Sequence, residues 1–338
     1  MNKVTSSAVR PDRQHGFVLV MTLWVLVIVA IATAYFSERV TQAVELAQQS
    51  RQNTSAMVGM ASTRAEILYR LGTTSLTEYG LGRGNAAIGL DNRPYRGLGG
   101  SLLRLQDSRG LLNLNHAEDD TLQRFLGLIG IPAEQRGHMI DTLRDYTQAS
   151  KLHRLNGAGD EDYATQNLAL PSHQNLITPW EARRIIGWRD ASPLWQNARL
   201  VELSATGVSM GLNPNTAPAE VLSTLPGATA EKTQLVIARR TLTPITDVRE
   251  LAELLGLPAQ QIADQIGVIP SNSIRITQST AGVSWSVQYN ITLTPKGSDT
   301  PWRIDYQSRV STNQADGAQT SPIDLPPRSK APPEALPL

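Results

Sequence analysis

Gly207-Val208-Ser209-Met210-Gly211 has the spacing of a serine nucleophile, because a glycine on each side lets a strand turn sharply into a helix and lift the hydroxyl clear. The neighbours do not supply that turn: Leu203-Ser204-Ala205-Thr206 is no hydrophobic strand, and Pro214 interrupts the helix that the serine would have to open. The histidines that could serve as base or metal ligand, His15, His116, His138, His153 and His173, stand apart, with no HExxH pair. Zero cysteines remove a thiolate nucleophile, thiolate zinc, iron–sulfur ligation and any disulfide framework. Gly80 to Gly100 is glycine-rich, but Gly80-x-Gly82-x-x-Asn85 misses the third glycine of a dinucleotide fingerprint and has no βαβ unit around it, so it reads as a flexible loop.

The 338 residues suffice for about two domains at roughly 150 residues each. The 41% hydrophobic and 18% charged residues exclude disorder of the whole chain. With 31 Lys+Arg against 30 Asp+Glu, the formal charge of +1 offers no general attraction to nucleic acid.

From Phe17 to Phe36 the chain reads FVLVMTLWVLVIVAIATAYF, without a charge. About twenty residues at roughly 1.5 Å each match a hydrocarbon core of about 30 Å, so this run predicts a membrane span. It is longer than the apolar region of roughly 7 to 15 residues in a cleaved secretory signal. Lys3, Arg10 and Arg13 precede it against Asp12, whereas Glu38 and Arg39 follow it, which puts the N-terminus in the cytoplasm and the bulk of the chain outside. Val40, Val44, Ala47, Thr54, Val58, Ala61, Ala65 and Leu68 continue at helical spacing until Gly72. One helix from Phe17 to Leu71 would extend roughly 80 Å; the alternative is two helices in line.

The polar leader ending His15-Gly16, the immediate Phe17, the apolar run and its long amphipathic continuation resemble the class III signal of type IV pilins and pseudopilins. The resemblance implies that a prepilin peptidase cuts between Gly16 and Phe17 and methylates the new N-terminal Phe17. Most members carry glutamate at the fifth mature position, where this chain has Met21. In the family that glutamate offsets a neighbour's N-terminal ammonium inside an apolar bundle, where an unpaired charge is costly. The pseudopilin that typically lacks it is general secretion pathway protein K, the large minor one of type II secretion, placed at the filament tip.

Beyond the loop, Leu103-Arg104-Leu105-Gln106 alternates before a turn at Asp107-Ser108-Arg109-Gly110, which predicts a short strand pair there. Residues 113 to about 270 carry helix signals: caps at Thr178 and Asp247, Pro193 in a first turn, and Gly130, Gly227 and Gly256 at helix ends. Two helical pairs are expected, from about Glu118 to Leu128 with Ala133 to Tyr146, and from Val248 to Leu255 with Ala259 to Ile266. Val283, Trp285, Val287, Tyr289, Ile291 and Leu293 then alternate with polar residues, and Trp302, Ile304 and Tyr306 do likewise, as in antiparallel strands with one face buried. From Asn313 onward Pro322, Pro326, Pro327, Pro332, Pro333 and Pro337 mark a tail expected to be disordered.

Leu212-Asn213-Pro214-Asn215-Thr216-Ala217 through Arg239-Arg240 resembles a helix-hairpin-helix unit, whose DNA-binding members cradle a phosphate on closely spaced glycines. Gly227-Ala228-Thr229 has one glycine, and the next hairpin at Gly256-Leu257-Pro258 has no basic residue, so a packing role is favoured over phosphate binding. Gly110-Leu111-Leu112-Asn113-Leu114-Asn115 resembles the glycine-x-x-asparagine-x-asparagine signature of protein K, and Asn215-Thr216-Ala217 its later asparagine-threonine-alanine element. Asp145-Tyr146 and Gly157-Ala158-Gly159-Asp160-Glu161-Asp162 resemble that family's aspartate-aromatic pair and glycine-alanine-acid loop, which implies bound calcium. Ca²⁺ takes six to eight oxygens, and Asp145, Asp160, Glu161 and Asp162 could supply several. The family's further aspartates after the aromatic are replaced by Gln148 and Ser150, which weakens or removes such a site; the other reading is a solvated acidic loop that caps a helix.

The expected organisation is a leader at 1–16, a transmembrane helix at 17–36, a helix continuation, loop and first strands at 37–112, an all-α insertion of helix-hairpin-helix or SAM-like type at 113–270, closing strands at 271–312 and the tail at 313–338. The fold class is α+β and pilin-like, a long N-terminal transmembrane helix packed on an antiparallel sheet. The implied function is a non-enzymatic minor pseudopilin at the tip of a type II secretion pseudopilus, in the inner membrane with its domain in the periplasm. The implied partners are minor pseudopilins I and J, the major pseudopilin filament, the prepilin peptidase and the inner-membrane secretion platform. The rival readings are a membrane-tethered periplasmic DNA receptor using the helix-hairpin-helix motifs, and a tethered hydrolase using Ser209.

Overall fold

The computed structural model describes residues 15–150, 152–280, 283–297, 299–311 and 321–327, and the expected leader at 1–16 lies almost wholly outside them. The chain divides into two compact units, residues 1–55 and 56–338. Helix α1 runs without a break from His15 to Thr73. In the first unit its side chains from Phe17 onward are almost all exposed, Phe17 at 73% and Trp24 at 63%, and this stretch is long and apolar enough to cross a membrane.

In the second unit α1 leads to β1 (Leu76–Thr77) and β2 (Gly80–Leu81), a two-stranded antiparallel pair, and then to β3 (Asp91–Arg96) and β4 (Ser101–Asp107). A mostly helical block comes next: β5 (Leu112–Asn113), α2 (Asp119–Ile129), α3 (Ala133–Thr147), α4 (Asp160–Thr165), α5 (Ser192–Trp195), α6 (Arg199–Leu203), β6 (Ser204–Ala205), α7 (Ala219–Leu222), α8 (Ala230–Leu242) and α9 (Val248–Leu255). The chain ends in β7 (Ser273–Thr280), β8 (Trp285–Leu293), β9 (Trp302–Ser311) and β10 (Ile323–Asp324). The six-stranded sheet has the order β10-β3-β4-β7-β8-β9. β4 pairs antiparallel with β7 from Ser101↔Thr280 to Asp107↔Ile274, so the helical block is inserted between two neighbouring strands. The fold is α+β, a long N-terminal apolar helix with an antiparallel-rich sheet, as the sequence leads one to expect.

One face of this sheet meets the end of α1. Ile67 and Leu71 pack with Leu103, Leu105, Ile274, Ile276, Tyr289 and Ile291, all buried. The buried positions of α1 among the described residues are Ala56, Gly59, Met60, Thr63, Ile67 and Leu71, whereas Val58, placed in the stripe by spacing, is 62% exposed. The central contact of the observed stripe is polar: Thr63 Oγ1 lies 2.7 Å from Ser101 Oγ and accepts from Leu98 N at 2.8 Å. Small residues allow the backbones to meet there, since a Cβ on Gly59 would stand 3.1 Å from the Gly99 carbonyl oxygen.

The opposite face is also covered, contrary to the expected one-sided burial. Ser286, Gln288 and Asn290 are buried on β8, and Arg275 of β7 is 2% exposed. Arg275 donates to the carbonyls of Val201 at 2.5 Å and Glu202 at 2.7 Å, at the end of α6, so polar side chains line this face and bind the inserted block to the sheet. The predicted helix at 259–266 is two short 3-10 turns after Pro258. Within the expected tail, Ile323 and Asp324 pair in parallel with Tyr95 and Arg96, so pairing with the β3 edge orders a stretch whose composition alone gives no core.

The insertion leaves the sheet at Asp107 and returns at Ser271, and one buried carboxylate joins the two. Asp107 Oδ1 accepts from Ser271 N (2.9 Å), Ser271 Oγ (2.8 Å) and Arg109 N (3.0 Å). Its Oδ2 accepts from Asn213 Nδ2 (2.9 Å) and Thr216 Oγ1 (3.0 Å). Burial pushes the Asp107 carboxyl up from its usual range, and the donors from Ser271, Arg109 and Asn213 pull it back. Asp107→Ala would strand these buried donors, and we expect a loss of about 3 kcal/mol or more in denaturant unfolding of the detergent-solubilised chain, with a smaller loss for Asp107→Asn, which keeps one acceptor oxygen.

Candidate functional site

The inserted block is two copies of one unit. In the first, Leu112 and Asn113 of β5 pair in parallel with Ser204 and Ala205 of β6; in the second, Leu212 makes a parallel bridge to Ile266. Asn113 and Asn213 each turn the chain, accepting from the amide two residues on at 3.1 and 3.0 Å. Asn115 exchanges two bonds with the Leu176 backbone, at 2.9 and 3.0 Å, and donates to Thr206 O at 2.9 Å. Asn215 repeats this on Ile245, at 2.8 and 2.9 Å, and on Val268 O at 3.1 Å. Arg144 of α3 donates to the carbonyls of Asn115 and Ala117, and Arg240 of α8 to those of Pro214 and Ala217. Each copy has its own core, one around Phe125 and Trp188, the other around Leu222 and Leu251. Thr178 and Asp247 cap the corresponding next helices through the amides two residues on. This duplication is written in the sequence as Asn-x-Asn-x-Ala at 113–117 and again at 213–217. Reading the two signatures as unrelated elements misses it.

The copies differ in length mainly at one place. Asn115 reaches a partner 61 residues on, and Asn215 one 30 residues on. Most of the excess follows α3 and contains Asp160, Glu161 and Asp162, three of the four acidic residues predicted as calcium ligands; the fourth, Asp145, lies in the last turn of α3. Asp145 accepts from Arg154 N at 3.0 and 3.1 Å and from Ala158 N at 3.2 Å. Asp160 Oδ1 lies 3.0 Å from His173 Nε2. Asp162 Oδ2 accepts from Gly159 N at 2.8 Å, an N-terminal cap for α4, and Glu161 is exposed in the same first turn. Gln148 presents its carbonyl to His173 Nδ1 at 3.0 Å. Asp145, Asp160 and Asp162 therefore have separate engagements, Glu161 is turned to the surface, and no group of three acidic or histidine side chains that could hold a metal occurs among the described residues. As arranged, these residues do not fit Ca²⁺, which needs six to eight converging oxygens.

Ser209 lies on irregular chain between β6 and Leu212, without the strand-to-helix turn of a nucleophile elbow. It lines a cleft of about 200 Å³ with His116, Glu118, Met210, Val221 and Asp264. In the α8–α9 hairpin, Lys232 donates to the carbonyl oxygens of Leu255 (2.5 Å) and Gly227 (3.3 Å), so its ammonium fastens the hairpin. Arg239 is paired with Glu250 at 2.5 Å. Packing takes up the charges that a phosphate would need, which disfavours the DNA-receptor reading.

The arrangement defines first a class: a pilin-like domain, with an apolar N-terminal helix and an antiparallel sheet enlarged by an inserted helical block. The comparisons carry this further. Residues 212–268 match the family "Type II secretion system (T2SS), protein K", and these limits coincide with the second copy, from the Leu212 bridge to the Val268 carbonyl held by Asn215. The fold is similar to a chain in the crystal structure of the GspK-GspI-GspJ complex from the type 2 secretion system of enterotoxigenic Escherichia coli. The TM-score is 0.59 at 15% identity, over 78% of this chain and 99% of that one. No curated protein matches the chain in sequence. Family match and fold together support the resemblance to the protein K minor pseudopilins of type II secretion.

Gly157 has no room for a side chain, since a Cβ there would stand 1.6 Å from Asp145 Oδ2. We expect Gly157→Ala to expel the loop from α3 and to cost about 2–4 kcal/mol in urea unfolding.

Proposed function

We propose that this chain is the large minor pseudopilin of a type II secretion system and stands at the tip of the pseudopilus, where it initiates or caps the filament. The observation that carries this reading is the protein K match at 212–268, lying inside a helical block inserted between paired strands β4 and β7 of a chain with an apolar N-terminal helix. Its work is assembly rather than catalysis. Residues 17–36 anchor it in the inner membrane, with the N-terminus in the cytoplasm and the α+β domain in the periplasm, the side chosen by Lys3, Arg10 and Arg13.

The partners follow from the same reading. A prepilin peptidase cuts between Gly16 and Phe17 and methylates Phe17. The helix then packs beside minor pseudopilins I and J, which is the company named for the structurally similar chain, above the major pseudopilin filament on its inner-membrane platform. Met21, on α1, has a neutral side chain where most pilin-like subunits carry glutamate, which removes one charge pairing between neighbours and restricts this subunit to the terminal position.

The mass of the N-terminal peptide of protein extracted from its own host's membranes tests the processing. We expect a chain that begins with N-methylated Phe17; a chain that begins at Met1 would make the protein a plain signal anchor and remove the tip reading. Met21→Glu tests the placement. We expect it to let the subunit enter the shaft and to reduce secretion several-fold, and unchanged tip position and secretion would refute the role given to Met21.

A further inference from the structure

The resemblance implies a divalent cation in the loop after α3, and the residues present do not converge on one. The Arg154 guanidinium, the His173 ring and a set of amides occupy that region instead. The carboxylates of Asp141 and Asp145 are one helical turn apart on α3. Asp145 holds the amides of Arg154 and Ala158, and Asp141 holds the amide of Asn156 at 3.3 Å, so two carboxylates bind one loop through its backbone. His138, one turn before Asp141, lies 2.6 Å from Asn156 O through Nδ1.

The Arg154 guanidinium crosses the same junction. Its Nη1 is 2.7 Å from Asp119 Oδ2 and 3.4 Å from Asp141 Oδ1, and Arg144 reaches the other Asp119 oxygen at 2.9 Å. A second bridge is made by His173, one ring nitrogen on Gln148 O and the other on Asp160 Oδ1, each at 3.0 Å.

We propose that this chain holds loop 152–159 on α3 with its own cation, the guanidinium of Arg154, in place of a divalent ion, and that the loop is folded in the absence of metal. Amide donors occupy the Asp145 lone pairs that an ion would use, and Gly157 packs against Oδ2 so closely that no ion-sized gap separates them. The second copy is an internal control. Arg240 performs the clamp of Arg144 there, and the connection from α8 to Ile245 carries no acidic loop, so the unit itself has no requirement for a cation.

The test is thermal unfolding of the detergent-solubilised full chain, followed by tryptophan fluorescence, since Trp188 is buried in the first core and bonded to Met139 O. We expect midpoints in excess EDTA and in millimolar calcium to agree within about 1 °C, and Arg154→Gln to lower the midpoint by about 2–4 °C in both buffers. An ion at a hundred times its dissociation constant would instead raise the midpoint by about 5–10 °C over EDTA, and that result would overturn the proposal. So would a calcium-binding heat in titration calorimetry of the native chain, or an Arg154→Gln midpoint equal to the native one in EDTA.

Discussion

The carboxylate of Asp107 is the constraint around which the second unit is arranged. An inserted block of this size must leave a sheet and return to it at adjacent strands, and beyond the point where the β4–β7 ladder ends, at Asp107 and Ile274, the two crossings must be held together by other bonds. Asp107, the last residue of β4, does this by taking donors from the outgoing turn at Arg109, the returning chain at Ser271 and the second copy at Asn213 and Thr216. A buried carboxylate with this many donors is stable where an unpaired one would be expelled. Arg275 performs the complementary task from the neighbouring strand, binding the carbonyls at the end of α6. The insertion is therefore seated by an acceptor on β4 and a donor on β7, and the sheet face beneath it is polar although it is buried.

The duplicated unit explains why the block can be large and still specific. In each copy one asparagine makes a turn and a second spans two distant backbone segments, replacing ladder bonds that such short strands cannot provide. An arginine from the following helix then satisfies the carbonyls left open before the first helix. With closure supplied locally, the stretch after α3 is free to lengthen in one copy and remain short in the other, because neither asparagine clamp depends on it.

Much of this was legible in the chain. The apolar run, its helical continuation to Gly72 and the alternating residues of β8 and β9 follow from periodicity, and Asp247 and Gly256 mark the ends of α9 as capping chemistry requires. The features that could not be read have a common cause. Thr63, Asp107, Arg275 and Asn290 are buried by virtue of partners far along the chain, and a pattern of apolar residues is silent about them. Asp145, Asp160 and Asp162 show the reverse error: their types suit a cation, but the groups that take them, the amides of Arg154, Ala158 and Gly159 and the ring of His173, leave no mark in composition. Ile323 and Asp324 were invisible for the same reason, since the β3 edge that orders them lies more than two hundred residues away.

Helix α1 meets two demands that call for opposite surfaces. Between Phe17 and Phe36 it carries no charge on any side and is long and apolar enough to cross a membrane, where no water could satisfy a polar group. From Ala56 to Leu71 it buries a narrow stripe in which alanine, glycine and threonine do as much as isoleucine and leucine, because the loop at Leu98 and Gly99 approaches its backbone directly. A wider apolar stripe there would leave exposed hydrophobic area along the helix, on positions such as Ala61 and Ala65 that the sheet and loop do not cover.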